Sequence, residues 1–258
     1  MPVDNALYDR MAGGWWDEAG FLHALAALNP ARFGYMRRVL VEELGLVPAG
    51  LRVLDVGCGG GLLAEEFARL GCGVTGVDPS AESLARARMH AAGQGLAIGY
   101  QCAVGEALPF EEASFDVVYC CDVLEHGDDL PRVIAETARV LRPGGTYLYD
   151  TINRTCRSRF VMITLLQESR WTALMPPGLH DWTMFIRPAE LRRVLGRHGL
   201  VPGGVTGLKP RASPFHLLRI LLRQRRGRLS YAAAFREMDL GESPDTSVSY
   251  MGYARKSR

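Results

Sequence analysis

Between residues 50 and 150, short β-rich runs alternate with helical stretches, and this alternation constrains the fold more than any other feature of the chain. The apolar runs are RVLDV (52–56), GVTGV (73–77), AIGYQC (97–102), FDVVYC (115–120) and TYLYD (146–150). Between them, LLAEEFARL, SAESLARARMHAAG and DLPRVIAETARVL carry apolar side chains at helical spacing. Ser80 stands where the second helix needs an N-cap, and Pro143-Gly144-Gly145 is expected to close the third. Strands alternating with helices over short connections run parallel and need crossovers, so the expected fold class is α/β with a doubly wound, Rossmann-like sheet.

The flanks change pattern. Residues 1–45 read as an N-terminal helical cap containing Trp15-Trp16, and 151–190 form a long excursion with the apolar stretch RFVMITLLQ and the turn MPPG. LVPGGVTGLK and SVSYMGYARK read as closing strands, with helix then loop between them. A chain of 258 residues can form one large domain or two small ones. One domain over 1–258 is expected, with 50–150 as the cofactor-binding core and 151–190 and 211–245 as lid insertions roofing the site.

Composition removes several functions. Hydrophobic residues at 48% and charged residues at 22% exclude a disordered chain, and no apolar run approaches the ~18 residues of a membrane span. The 28 arginines against 2 lysines read as codon usage, and a net charge of +2 lacks the concentrated basic excess of a nucleic-acid binder. MPVDNALYDR carries an acid at position 4 and no apolar run, so no signal peptide is expected. Six cysteines without a C-x-x-C pair read as reduced thiols, and the expected location is the cytoplasm.

The first strand runs into LDVGCGGGLLAEEFA. Gly57, Gly59, Gly60 and Gly61 let the backbone turn tightly beside a helix N-terminus and approach a ligand closely. Asp78 ends the second strand about 20 positions further on, where an acid accepts from ribose hydroxyls. Two residues oppose a nicotinamide dinucleotide: Leu62 occupies the third glycine position, and Asp55 would repel a pyrophosphate. Asp55 suits the ammonium of an amino acid instead. Adenosine ribose plus an amino-acid tail describes S-adenosylmethionine, and a plain strand–helix turn capped by Asp55 is the alternative.

VLDVGCGGG, GVDPS, GEALPFEEASFDVVYC and VLRPGG resemble the successive motifs of class I S-adenosylmethionine-dependent methyltransferases. The resemblance implies a seven-stranded sheet whose last strand is antiparallel. It puts Asp55, Gly57 and Gly59 at the methionine end of the cofactor, Asp78 at the ribose, and Gly105-Glu106 near adenine. Val104 stands where the common adenine-side acid would be.

WWD (15–17), NPARFGYM (29–36), CCDVLEH (120–126), TINR (151–154) and GLHDWTMFIRPAEL (178–191) together resemble the ubiquinone-biosynthesis O-methyltransferase family. That resemblance implies a small-molecule acceptor, a hydroxyl of an aromatic or polyprenylated phenol or catechol. It implies that Arg32 contacts the cofactor and that Cys121 lines its pocket. The family's E-x-x-E-H segment reads Asp122-Val-Leu-Glu125-His126 here, implying a divalent metal (Mg or Zn) on Asp122, Glu125 and His126. The alternative is a metal-free loop that these side chains merely support. Glu125, His126 and His180 are the candidates for deprotonating a phenol, and a turn-held surface histidine is the other reading of His180.

Two departures point to the acceptor side. Ala26 replaces a histidine common in the family, with His23 the nearest substitute, and 211–245 is long. A small-molecule O-, N- or C-methyltransferase of a specialised-metabolite pathway is therefore the alternative function. RFVMITLLQESRW and FHLLRILLRQRRGR pair apolar bulk with arginines, as segments in peripheral contact with an anionic membrane do.

Overall fold

The computed structural model describes residues 5–258. The N-terminal cap comprises α1 (Asn5–Met11), two 3-10 turns (Ala12–Gly14 and Leu22–Ala27), α2 (Asn29–Arg38) and a π turn, Val39–Glu43. The core follows as β1 (Arg52–Val56), α3 (Leu62–Arg69), β2 (Gly73–Asp78), α4 (Ala81–Gly93), β3 (Ile98–Cys102), β4 (Phe115–Cys121), α5 (Leu130–Val140) and β5 (Leu141–Ile152). Beyond it come α6 (Cys156–Ser158), a π-helix (Arg159–Glu168), α7 (Pro188–Arg197), β6 (Leu200–Pro210), α8 (Pro214–Arg225), α9 (Tyr231–Met238), β7 (Leu240–Ser243) and β8 (Ser249–Lys256).

The sheet order is β3-β2-β1-β4-β5-β8-β6-β7. The first five strands are parallel, and β8 runs antiparallel between β5 and β6. Burial on both faces explains why the core strands are continuous apolar runs. Along β1, Val53 faces the layer with Met36, Val39 and Phe67, while Leu54 faces the layer with Ile134 and Val194. Val117 and Val118 of β4 repeat that division, as the two-residue period of a strand requires.

Two expectations are corrected. The sheet has eight strands, not seven: β7 comes from the segment read as helix then loop. Asp239, in the left-handed conformation (φ 50), ends α9 and turns the chain back so that Leu240–Ser243 pairs antiparallel with β6. Pro143-Gly144-Gly145 does not close α5; that helix ends at Val140 and these residues already belong to β5. The Ser80 cap is as expected, its hydroxyl oxygen accepting from the Ser83 N–H at 3.0 Å.

The insertions have a small core of their own, in which Leu174 packs with Ile220 and Leu221 of α8 and with Ala234 and Met238 of α9. A fourth cluster packs Ala12, Trp15 and Leu22 of the cap on Leu62 of α3. The six cysteines are all unpaired. Among the described residues, no helix is long and apolar enough to cross a membrane.

Candidate active site

The C-terminal ends of β1, β2, β4 and β5 open into a cavity of about 330 Å³, covered by the cap and by both insertions. Parallel strands leave their connecting loops at that end, so the carboxylates that finish them converge there. Asp55 is buried near the tip of β1, and burial pushes it up to about 8, partly opposed by the neighbouring Tyr119 hydroxyl. Asp78 accepts from the Gly59 N–H and from the Ser80 N–H, each at 2.9 Å, tying the glycine loop to the start of α4. Burial raises its pKa, and those two backbone hydrogen bonds oppose the rise.

Gly57 (φ 76) is required twice over. Its backbone is left-handed, and a Cβ there would stand 2.2 Å from Cγ2 of Val123 in the loop after β4. The Gly57 and Cys58 N–H groups donate to the Val77 carbonyl at 2.8 and 3.0 Å, which fixes the turn against β2.

Arg32 reaches this cavity from α2 and is bracketed by two carboxylates, Asp122 and Asp150, in charge-assisted contacts. Burial opposes its charge, but those acids more than compensate and raise its pKa. Asp122 has left-handed backbone (φ 52), and its N–H donates to Oδ1 of Asp150 at 2.7 Å. The pairing turns Asp122 away from the sequence neighbours with which it was expected to bind a metal.

The side chains that do converge are Glu125, His126 and His180, each offering a ligand atom within 4.8 Å of the others. The two imidazoles stack with centroids 5.2 Å apart, and both line the cavity. Glu125 lies behind the lining, where its Oε2 accepts from the Thr151 hydroxyl at 2.6 Å. Glu125 Oε1 and the Nδ1 atoms of both histidines are buried without a hydrogen-bond partner. Burial pushes His126 down to about 3, aided by His180, and His180 down to about 4. Burial and the Asp122 charge push Glu125 up to about 8. Burial thus favours the uncharged form of all three groups, and each imidazole has a free lone pair or N–H to present.

Cys121 lines the cavity as expected, its thiol pushed up by burial. Gly105 and Glu106 do not line it: Gly105 packs on Val56 and Val133, and the Glu106 carboxylate accepts from the Asp128 N–H at 3.2 Å. His23 is likewise outside, with Nδ1 3.0 Å from the Trp15 carbonyl.

Three contributors were missed in the sequence. Asp150 had a legible signal, an acid finishing an apolar strand as Asp55 and Asp78 do. Tyr8 lines the cavity from the cap and had no such signal. Gln167, the penultimate residue of the π-helix, is buried and clamps the backbone of His180: its Nε2 donates to the His180 carbonyl at 3.1 Å and its Oε1 accepts from the His180 N–H at 2.7 Å.

An acid-tipped glycine loop at the head of a 3-2-1-4-5 parallel sheet, with β8 reversed beside it, defines the fold of the S-adenosylmethionine-dependent methyltransferases. Residues 54–149 match the family of the methyltransferase domain. Solved structures with this fold include YcgJ of Bacillus subtilis (TM-score 0.59, 19% identity, 88% of this chain and 98% of that one). Another is a SAM-dependent methyltransferase of Methanosarcina mazei (TM-score 0.55, 20% identity, 81% and 93%).

Similarity along most of the chain is more specific. The chain is 42% identical over 202 residues to the ubiquinone biosynthesis O-methyltransferase of Caulobacter sp. (75% of this chain, 79% of the relative). It is 37% identical over 227 residues to that of Sinorhizobium fredii (83% and 90%). The chain belongs to the ubiquinone biosynthesis O-methyltransferase family.

Proposed function

We propose that the protein transfers the methyl group of S-adenosylmethionine to a ring hydroxyl of a phenol or catechol intermediate of ubiquinone biosynthesis. The observation that carries this reading is the meeting, in one cavity, of the Asp55–Asp78 glycine loop with the neutral His126–His180 pair. Relatives of this name align over both the core and the flanks, which favours this acceptor over one from a specialised-metabolite pathway.

In this reading Asp55 faces the cofactor's ammonium, Gly57 and Gly59 allow its close approach, and Asp78 faces the ribose hydroxyls. Cys121 lies along the same wall. Arg32 holds the loop after β4 through Asp122 and Asp150 and stands within reach of the methionine carboxylate. His180 or His126 would take the proton of the acceptor hydroxyl, and the bound cofactor would supply an electrophilic methyl group with a neutral thioether as its leaving group. The sulfonium is its own good leaving group, so the protein's task is alignment, exclusion of water and proton removal.

The family resemblance implies a divalent ion, and Glu125, His126 and His180 would hold it, each with a buried unpartnered atom; this mixed oxygen and nitrogen set suits Zn better than Mg. An ion there would take up the imidazole lone pairs, so it would replace the histidines as the means of deprotonation by supplying Lewis acidity to the acceptor oxygen.

We place the enzyme in the cytoplasm, in peripheral contact with an anionic membrane through α8. Its Phe215 is 88% exposed and Leu218 48%, beside Arg219, Arg226 and Arg228.

Labelled cofactor incubated with a panel of catechols tests the reaction. Wild-type enzyme should label ring oxygen. His180→Ala and His126→Ala should each lose at least ~100-fold in kcat with cofactor Kd nearly unchanged. Wild-type turnover in both variants would refute the proton-acceptor assignment.

A further inference from the structure

Two tyrosines, Tyr8 and Tyr250, are among the residues that line the cavity. The Tyr250 hydroxyl is engaged, donating to the Ile186 carbonyl at 3.1 Å. The Tyr8 hydroxyl is not: no described residue hydrogen-bonds it. Its side chain is partly buried, and a hydroxyl in such a place gains most from a partner that arrives with the ligand.

Tyr8 stands between the two ends of the site. Asp78 faces it from the cofactor side, and Asp122 and Glu125 face it from the loop after β4. Its ring meets the His126 imidazole in a T-shaped contact, with centroids 6.4 Å apart and planes at 73°. His126 in turn stacks on His180, so Tyr8 is the third ring of a row that contains both candidate proton acceptors.

The cap holds Tyr8 in that row. The ring packs with the cluster of Ala12, Trp15 and Leu22. Its neighbour Asp9 accepts from the Ser80 hydroxyl at 2.5 Å, and the Ser80 N–H donates to Asp78 at 2.9 Å. The anchor of Tyr8 is therefore part of the same turn as the acid assigned to the ribose.

We propose that Tyr8 is a catalytic residue that donates a hydrogen bond to the second oxygen of a catechol, the one beside the hydroxyl that is methylated. It thereby selects rings with two adjacent oxygens over monophenols. The proposal rests on the reaction assigned above and adds which acceptors that site takes. The two oxygens of a catechol share one edge of the ring. An acceptor whose reacting oxygen meets an imidazole of the row thus presents its second oxygen to the neighbouring phenol. Tyr8 supplies a neutral O–H donor there and leaves proton removal to the histidines. A monophenol in the same pose leaves that donor without a partner, so the penalty falls on the monophenol alone.

The test compares wild type and Tyr8→Phe on catechol and on phenol. The substitution removes one oxygen and keeps the ring, so the packing in the cap and the contact with His126 persist. Wild-type enzyme should favour catechol by at least ~30-fold in kcat/KM, and Tyr8→Phe should cut that preference by at least ~10-fold. The loss should fall on catechol and mainly in KM, because the second oxygen takes no part in the bond changes. Cofactor Kd should stay where it is.

A preference that survives in Tyr8→Phe, or an equal loss on both acceptors, overturns the assignment. Calorimetry on the complex with S-adenosylhomocysteine repeats the comparison without turnover. Catechol should bind wild type at least ~10-fold tighter than Tyr8→Phe, and phenol should bind both alike. Equal catechol Kd in the two proteins overturns the contact. If neither acceptor is methylated, the reaction assignment fails while the binding comparison still decides the role of Tyr8.

Discussion

Gly60→Ala isolates the contact between cap and cofactor loop. Unlike its neighbours Gly57, Gly59 and Gly61, Gly60 does not have positive φ, so alanine brings no backbone strain. The new Cβ would lie 2.4 Å from Cγ, 2.6 Å from Cβ and 2.7 Å from Cδ2 of Trp15. Carbon atoms settle about 3.5–4.0 Å apart, so the indole must retreat by roughly 1 Å. Trp15 is buried, and its Nε1–H donates to Oγ of Ser83 at 2.9 Å. Next to it, Trp16 donates to the Gly60 carbonyl at 2.9 Å and stacks on His90, whose Nδ1 is 2.6 Å from the buried Glu65 carboxylate.

Expelling Trp15 would cost about 3–5 kcal/mol of packing and ~1 kcal/mol for its hydrogen bond. Accommodating the methyl by a strained shift costs about 1–3 kcal/mol, so the shift wins. The cap should open more readily by that amount, and amide exchange in residues 8–28 should speed up ~5- to 150-fold while the sheet is unaffected. Hydrogen exchange with peptide resolution reads this directly, and cofactor Kd should rise in parallel because Trp15 lines the cavity. In a Trp15→Ala background, where the cap has already lost its anchor, Gly60→Ala should add less than ~0.5 kcal/mol. Unchanged exchange in the single variant, or full additivity in the double, would refute the reasoning.

Other expectations follow from the buried charges and the exposed arginines. Arg32→Met leaves Asp150 without its partner and should destabilise the fold by about 3–5 kcal/mol in urea melts. Asp150 is raised from 3.8 to about 7 by burial, against the pull of Arg32. Its protonated form therefore favours folding below the unfolded value, a contribution lost as pH climbs through 7. Removing Arg32 raises it further, so the variant's deficit should be larger at alkaline than at acidic pH, and a flat deficit would contradict the pairing. Asp78→Asn turns one acceptor oxygen into an N–H donor facing a backbone N–H, so calorimetry should show cofactor Kd rising ~10- to 100-fold. Arg219→Glu with Arg226→Glu should abolish low-salt co-sedimentation with anionic liposomes while leaving turnover of a soluble catechol intact. Persisting co-sedimentation would remove α8 as the membrane face.

What was legible in the sequence was what one strand or one turn determines. Val53 and Leu54, or Val117 and Val118, are buried on opposite faces, so the runs that contain them are uninterrupted and announce a covered parallel sheet. Asp55 and Asp78 stand at strand ends, and a strand end in such a sheet is already a place in the site. Strand β7 was hidden because four residues, Leu240–Ser243, have no room for a pattern, and what holds them is pairing with β6 and the Thr206 hydroxyl that donates to the Ser243 carbonyl at 3.1 Å. Helix α9 was closer to legible: Ser230 caps it, accepting from the Ala233 N–H at 3.2 Å, ahead of an alanine-rich run.

The polar cluster shows why a local motif misleads about its own geometry. Asp122, Glu125 and His126 lie within five residues, and adjacency in sequence was read as convergence in space. The chain takes a left-handed step at Asp122, which sends that carboxylate to Arg32, 90 residues earlier. Its place beside Glu125 and His126 is filled by His180, from an insertion whose backbone is fixed by Gln167. The core motif thus supplies two of the three groups, and the family-specific flank supplies the third. The same flank supplies part of the cavity's apolar lining, Met162, Leu166 and Leu174, while Phe235 and Met238 come from the second insertion. On the proposed assignment of His180 as proton acceptor, a change of lining through 151–190 also changes the placement of the base. This predicts that swapping the insertion between relatives transfers acceptor preference together with turnover on it, and leaves the affinity for the cofactor where the core sets it.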